Sequence, residues 1–221
     1  MVKIVPVDGQ RLVNDQPQTK LTDMLAEIII STELSDLSKS SSLAPGFLNV
    51  RRCNLIHGNY PQILLEKWDA YKAEKGSDNE RPDFFDAAAM QKFVVLEMSN
   101  GGVDLENVVL SSAAVGWAIF QQVSHALAVA EQTHQFEHRD LHWGNILVRD
   151  TREKSLLYSL ENEKFEVETL GKCATIIDFS LSRLTVPGQE GCDIFNNLAE
   201  DPELFTSEGD YQFDIYRYIF F

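Results

Sequence analysis

The chain of 221 residues is poor in cysteine and lacks long apolar runs. Its three cysteines, Cys53, Cys173 and Cys192, are odd in number and widely spaced, which argues against a disulfide framework or a zinc site and fits a reducing compartment. No run of about 18 apolar residues is present, and residues 1–8 lack the apolar centre of a signal peptide. We therefore expect neither a transmembrane helix nor a signal peptide.

Cationic side chains are also scarce. Lysine and arginine total 19 against 34 aspartates and glutamates, which gives a formal net charge of −15. Such a chain is a poor general binder of nucleic acid or of an anionic membrane, and it is suited to a basic partner. With 44% hydrophobic and 24% charged residues it can form an ordinary globular core.

Hydrophobic spacing predicts an α+β fold. The predicted strands are 2–7, 92–97, 145–148, 156–160, 165–169 and 174–178, and the predicted helices are 21–37, 62–74 and 112–135. A mixed stretch follows the polar loop at 38–46, and the pattern beyond Arg183 is irregular and acidic. The order of elements predicts two lobes, joined near 98–104, with a cleft between them.

The strongest chemical signal is His138-Arg139-Asp140, with Asn145 five residues after the aspartate. This spacing is typical of the catalytic loop of protein kinases. One carboxylate must accept the proton of an attacking hydroxyl, and a nearby amide holds a metal ion on the phosphates. We predict Asp140 as the base and Asn145 as a metal ligand. The alternative interpretation is an ordinary polar loop.

A second signal, Asp178-Phe179-Ser180, follows an apolar stretch 38 residues after Asp140. An aspartate-phenylalanine pair at this place is typical of the metal-binding aspartate of a kinase. We predict that Asp178 binds Mg²⁺ bridging the phosphates of ATP, with Phe179 and Ser180 at the same site. Ser180 stands where ordinary kinases have glycine.

Two charged residues precede these motifs in the order that a kinase requires. Lys3 lies in the first strand and would bind the α- and β-phosphates, while Glu27 lies in the next helix and would pair with it. The alternative is a surface lysine and a solvated helix charge.

The segment 93–106 resembles a kinase hinge, in which a buried strand ends in a flexible link. Met98 would be the gatekeeper and Asp104 would reach the ribose. The backbone groups of the link would bind adenine; its residues are Ser99, Asn100, Gly101 and Gly102. The alternative is a plain strand that ends in a Gly-Gly turn.

These motifs together resemble the haspin family of atypical protein kinases. His142-Trp143 inside the catalytic loop and the sequence from Asp178 to Leu184 are specific to that resemblance. Further similar stretches are Glu27–Ser35, Arg81–Phe85 and Gly209–Arg217. The resemblance implies a monomeric serine/threonine kinase that uses ATP and Mg²⁺ and phosphorylates a threonine in the histone three tail during mitosis. It also implies a nuclear, chromosomal location, with a cytoplasmic pool.

An acidic segment, residues 190–214, has eight carboxylates and no lysine or arginine. A basic histone tail would be steered by such a surface. The resemblance implies that Glu208, Asp210 and Asp104 contact the substrate, and that Asp214 bonds the backbone of the catalytic loop. For most of the other carboxylates we expect an ordinary solvated surface.

The resemblance divides the chain into a partial N-lobe at 1–98, a hinge at 99–104 and a partial C-lobe at 105–221. Only two residues precede Lys3, so we expect the Gly-rich phosphate loop to be missing and the chain to be truncated at both ends. Two alternatives stay open: a catalytically dead fragment that acts as a binding module, and a small-molecule phosphotransferase.

Overall fold

The computed structural model describes residues 1–39, 44–83, 91–188, 191–200, 203–209 and 211–219. The described strands are β1 (Val2–Val7), β2 (Val50–His57), β3 (Lys92–Met98), β4 (Val103–Asp104), β5 (Ile146–Asp150), β6 (Ser155–Leu160), β7 (Glu163–Glu168), β8 (Lys172–Ile176), β9 (Arg183–Thr185) and β10 (Asp193–Phe195). The α-helices are α1 (Leu21–Lys39), α2 (Gln62–Lys75), α3 (Ala113–His134), α4 (Glu203–Thr206) and α5 (Tyr211–Ile219). The chain is therefore mixed α/β, as the sequence predicts.

The first sheet has the order β1-β3-β2 and is antiparallel throughout. Its central strand, β3, buries Val94 and Leu96, which pack with Val7 of β1 and Met24 of α1. Strand β2 is an edge strand whose residues 51–57 are exposed. It has no alternating pattern that could predict it, and its position depends on pairing with β3.

A second sheet, β4-β5-β8, lies beside the long helix α3. Gln122 of α3 is fully buried and binds the backbone of β8 twice, accepting from Ala174 N–H at 2.8 Å and donating to the Lys172 carbonyl at 3.1 Å. Ile30 and Leu34 of α1 reach the same hydrophobic cluster. Helix α1 thus contacts both cores and fixes the first sheet relative to the second.

Helix α3 is long and apolar enough to span a membrane by length and composition. One face of it is buried against β6 and β8, and the Gln122 bonds tie it to the sheet. Such packing is that of a core helix in a globular fold.

Predicted and observed elements differ most after Arg183. The structure has a small hairpin there, β9 paired with β10, which the sequence did not predict because each strand has only three residues. Several predicted positions lie outside the described residues, namely Phe85, Glu190, Asp201 and Asp210.

Candidate active site

Lys3 and Glu27 form an ion pair, as the sequence predicts. Lys3 lies on β1 and Glu27 on the buried face of α1, and the Lys3 Nζ to Glu27 Oε1 distance is 2.5 Å. The glutamate side chain is 8% exposed and the lysine 38%. A carboxylate that is nearly buried needs such a cation, because burial of an unpaired charge is strongly unfavourable. The interpretation of Glu27 as a solvated helix charge is therefore wrong.

The catalytic-loop histidine is a buried connector. His138 Nε2 donates to the carbonyl of Ile177 at 3.0 Å, and its Nδ1 accepts from the Asp140 N–H at 3.4 Å. Its ring packs edge-on against Phe136 and Phe179. Burial lowers the pKa of His138, which favours the neutral imidazole that can donate at one nitrogen and accept at the other. The histidine thus ties the loop to the segment that leads into Asp178.

Asn145 closes the loop from the other side. Its Nδ2 donates to the Asp140 carbonyl at 3.0 Å and approaches Asp140 Oδ2 at 3.4 Å. The backbone carbonyl of Asn145 accepts from the Ile177 N–H at 3.0 Å. Because Ile177 precedes Asp178, both connections bring the two predicted motifs to one place.

Both motifs contain a residue in a left-handed backbone conformation. Arg139 has φ of 66° and Asp178 has φ of 62°. Non-glycine residues adopt this region rarely, and the surrounding structure must stabilise it. The Arg139 guanidinium bonds Glu137 at 2.9 Å, and Asp178 Oδ1 accepts from the Ser180 N–H at 3.4 Å. Strain at these two positions marks a functional site.

A cleft of about 290 Å³ joins the parts of the site. Its lining includes Lys3, Glu27, Met98, Asp178 and Phe179. A neighbouring cavity of about 210 Å³ shares the first two of these and Asp178, and adds Ser180. Residues from β1, α1, β3 and the segment after β8 therefore face one space, which is large enough for part of a nucleotide.

The residues present fit a magnesium ion that is held jointly with phosphates. Within the described residues there is no group of three or more His, Cys, Asp or Glu side chains that could hold a metal ion. Asp178 is exposed at the cleft, and Asn145 uses its amide nitrogen on Asp140, so that its amide oxygen is the atom able to face a cation. Mg²⁺ commonly takes one or two protein oxygens and completes its shell with phosphates and water.

The predicted hinge is a tight turn after β3. The Ser99 N–H donates to the Asn49 carbonyl at 2.9 Å, and Asn100 Oδ1 accepts from the Gly102 N–H at 3.0 Å. Gly102 has φ of +105°, and a Cβ there would lie 2.1 Å from the Val148 carbonyl oxygen, so only glycine fits. The turn holds Gly101 and Gly102 against β5.

Asp104 has a local role that the sequence did not indicate. Its Oδ1 accepts from the backbone N–H and the side-chain amide of Asn107, at 3.0 and 2.7 Å. It thereby caps the 3₁₀-helix Leu105–Asn107. The structure leaves its predicted contacts with ribose and substrate as predictions.

The acidic segment differs from expectation at one residue. Glu208 is exposed, and Asp210 lies outside the described residues. Among the described residues Asp214 bonds Arg217, at 2.5 Å, and not the catalytic loop, so that prediction is wrong. The contact comes instead from Tyr216, whose hydroxyl donates to Asp140 Oδ1 at 2.7 Å. No sequence signal points to this pair, because 76 residues separate its members.

Comparison with known proteins agrees with this geometry. Residues 1–220 match the model of the family described as "Haspin like kinase domain". The chain belongs to the haspin-like kinase family. Serine/threonine-protein kinase haspin of Bos taurus is 45% identical over 219 residues, which cover 98% of this chain and 27% of the relative. The haspin homologs of Drosophila melanogaster and Arabidopsis thaliana are each 37% identical, covering 98% and 97% of this chain and 38% and 36% of the relatives. The chain thus spans between 27% and 38% of the length of these relatives.

Proposed function

We propose that the protein is a haspin-type serine/threonine kinase that transfers the γ-phosphoryl group of ATP to a threonine hydroxyl. The observation that carries the proposal is the connection of Asp140 and Asp178 through the His138 imidazole, beside the Lys3–Glu27 pair. The proposal includes two lobes, with 1–98 as the first, 99–104 as the hinge and 105–221 as the second.

Asp140 is the base in this proposal. The threonine Oγ forms a bond to the γ-phosphorus while the bond from that phosphorus to the β–γ bridging oxygen breaks, and ADP leaves with the electron pair. The hydroxyl proton passes to the Asp140 carboxylate, which the His138 and Asn145 contacts hold in place. Positioning and charge stabilisation account for most of the catalysis of such a transfer.

The nucleotide would occupy the cleft lined by Lys3 and Met98. Lys3, held by Glu27, would bind the α- and β-phosphates, and Asp104 would contact the ribose. The adenine would lie against the turn at 99–102, and Phe179 and Ser180 would border the phosphates. Asn145 and Asp178 would hold Mg²⁺, which neutralises phosphate charge when bound.

The substrate side of the proposal concerns a basic peptide. Helix α5 contacts Asp140 through Tyr216, so the segment that contains Glu208 and Asp210 lies next to the catalytic loop along the chain. The net charge of −8 over 190–214 complements a histone tail, which is basic. We propose the histone three tail as the substrate during mitosis, and a nuclear, chromosomal location for the monomeric enzyme.

The site favours catalysis over the alternative of a protein that only binds. A binding module has no need for a base, a metal-binding pair and a paired lysine around one cleft, whereas phosphoryl transfer requires all of them. The small-molecule alternative is less favoured by the acidic surface beside the loop.

The test is transfer of labelled γ-phosphate from Mg²⁺-ATP to a synthetic histone three tail peptide. The control is the same peptide with its target threonine replaced by alanine. We expect label on the threonine peptide and not on the control. Tight nucleotide binding without label on either peptide would overturn the proposal in favour of a binding protein.

A further inference from the structure

The hydroxyl of Tyr216 is the contact to the proposed base that the motifs did not reveal. It donates to Asp140 Oδ1 at 2.7 Å, the short distance of a hydrogen bond to a charged acceptor. Asp140 Oδ2, by comparison, is approached by the Asn145 amide only at 3.4 Å. The two oxygens of the carboxylate are therefore unequal in this structure.

The tyrosine itself is held firmly. Its side chain is 4% exposed, and its ring packs edge-on against Phe205 with 6.4 Å between ring centroids. The next residue, Arg217, donates to the Ser207 carbonyl at 2.6 Å and pairs with Asp214 within α5. The hydroxyl is thus presented by a packed ring on an anchored helix, which is what a positioning group requires.

We infer that Tyr216 is a positioning residue that orients the Asp140 carboxylate for proton transfer. The inference rests on the proposed function. By holding Oδ1, the phenol directs Oδ2 toward the substrate hydroxyl, and the proton of that hydroxyl passes to Oδ2. The tyrosine keeps its own proton throughout. It acts through Asp140 and has no contact with the reacting phosphorus.

A purely structural role predicts a different result. If the hydroxyl only tied α5 to the catalytic loop, its loss would displace the adjoining acidic segment and weaken peptide binding. A positioning role lowers the turnover number and leaves the Michaelis constants unchanged, because the interaction matters in the transition state. The two roles therefore separate in a split of kcat from KM.

The experiment compares Tyr216→Phe with Tyr218→Phe in the purified protein, with Mg²⁺-ATP and the histone three tail peptide. Tyr218 lies on the same helix and is 81% exposed, so its hydroxyl is a matched control. We expect Tyr216→Phe to lower kcat by about tenfold, as loss of a hydrogen bond to a charged group does. The KM values for ATP and peptide and the thermal unfolding midpoint should stay at those of the parent, and Tyr218→Phe should match the parent throughout.

A double-mutant cycle with Asp140→Asn completes the test. If the tyrosine acts through Asp140, adding Tyr216→Phe to Asp140→Asn causes no further loss of kcat. An unchanged kcat in Tyr216→Phe, or a raised peptide KM alone, would overturn the inference while a dead Asp140→Asn leaves the proposed function standing. An Asp140→Asn protein with full kcat would overturn both.

Discussion

The catalytic loop and the acidic segment are neighbours built in opposite ways. The loop is fixed by buried groups: His138, Asn145 and Ser182 are all buried, and each bonds backbone on another part of the site. The acidic segment is largely exposed and attached at a few points. One is Asn196, whose amide donates to the carbonyls of Asp23 and Ser180 at 3.1 and 3.0 Å.

The difference shows how one site separates chemistry from recognition. Groups that transfer a proton or hold a metal must be fixed in advance, and buried hydrogen bonds provide that. Groups that attract a basic peptide can act through their charge from an exposed surface, where salt screens them. Substitutions in the loop should therefore have large effects that are insensitive to salt, and those in the acidic segment smaller effects that depend on it.

The largest effect is expected at the base. Asp140→Ala should lower kcat by about 10²- to 10⁴-fold, the usual contribution of general base catalysis, while ATP binding survives. Asp36→Ala, an exposed aspartate on α1, serves as the control and should leave kcat unchanged. Steady-state kinetics and nucleotide titration measure the two quantities. A kcat close to that of the parent in Asp140→Ala would remove the loop from the chemistry.

A second loop variant should separate metal binding from proton transfer. Asp178→Ala should weaken Mg²⁺-dependent ATP binding by about tenfold or more, since it removes a charged ligand of the metal. Calorimetric titration with ATP, with and without Mg²⁺, provides the comparison. Equal binding by parent and variant in the presence of Mg²⁺ would show that the metal lies elsewhere.

Charge reversal tests the acidic segment. Glu208→Lys combined with Asp210→Lys should lower kcat/KM for the histone tail peptide by about ten- to a hundredfold, from about 1.5–3 kcal/mol for each charge-assisted contact. The KM for ATP should not change. Glu161→Lys with Glu163→Lys, at the exposed turn between β6 and β7, is the matched control of equal charge change.

Salt then distinguishes steering from contact in the same double variant. The loss should shrink at high salt if the segment acts at long range, and should persist if the carboxylates touch the peptide. Unchanged peptide phosphorylation at every salt concentration would show that the acidic segment is only a solvated surface.

The smallest effect concerns pH and the buried histidine. Burial lowers the pKa of His138 below its ordinary value of 6.5, so the unfolded chain takes up a proton at a higher pH than the folded one. The free energy of unfolding should therefore fall as the pH drops below about 6.5. Burial also lowers the pKa of His134, which contributes in the same direction.

Urea unfolding between pH 7 and pH 5 measures this dependence. His138→Gln should reduce the slope without abolishing it, because His134 remains. A slope equal to that of the parent would mean that His138 takes up its proton equally readily in the folded and unfolded chain.

Local patterns predicted much of the fold. Strands β1 and β3 and helices α1 and α3 have apolar residues at regular spacing, so their positions follow from the sequence. Strand β2 does not, because it is an exposed edge that depends on β3 for its pairing. The β9–β10 hairpin is too short for any period to show.

The site divides in the same way. Lys3, Glu27, Asp140 and Asp178 could be predicted because chemistry fixes their residue types and their order along the chain. Tyr216 could not, and Asp214 was assigned its place wrongly, because α5 meets the loop through tertiary packing alone. The second role of Asp104, as a helix cap, likewise depends on a turn that only the structure shows.

The central claim is that Asp140, Asn145 and Asp178 form one phosphoryl-transfer site with Lys3. A crystal structure with Mg²⁺ and a non-hydrolysable ATP analogue tests it most directly. The account predicts a metal about 2.0–2.1 Å from oxygens of Asn145 and Asp178, with Lys3 Nζ on the α- and β-phosphates. A nucleotide bound outside the Lys3–Asp178 cleft, or a metal that neither residue ligates, would contradict it.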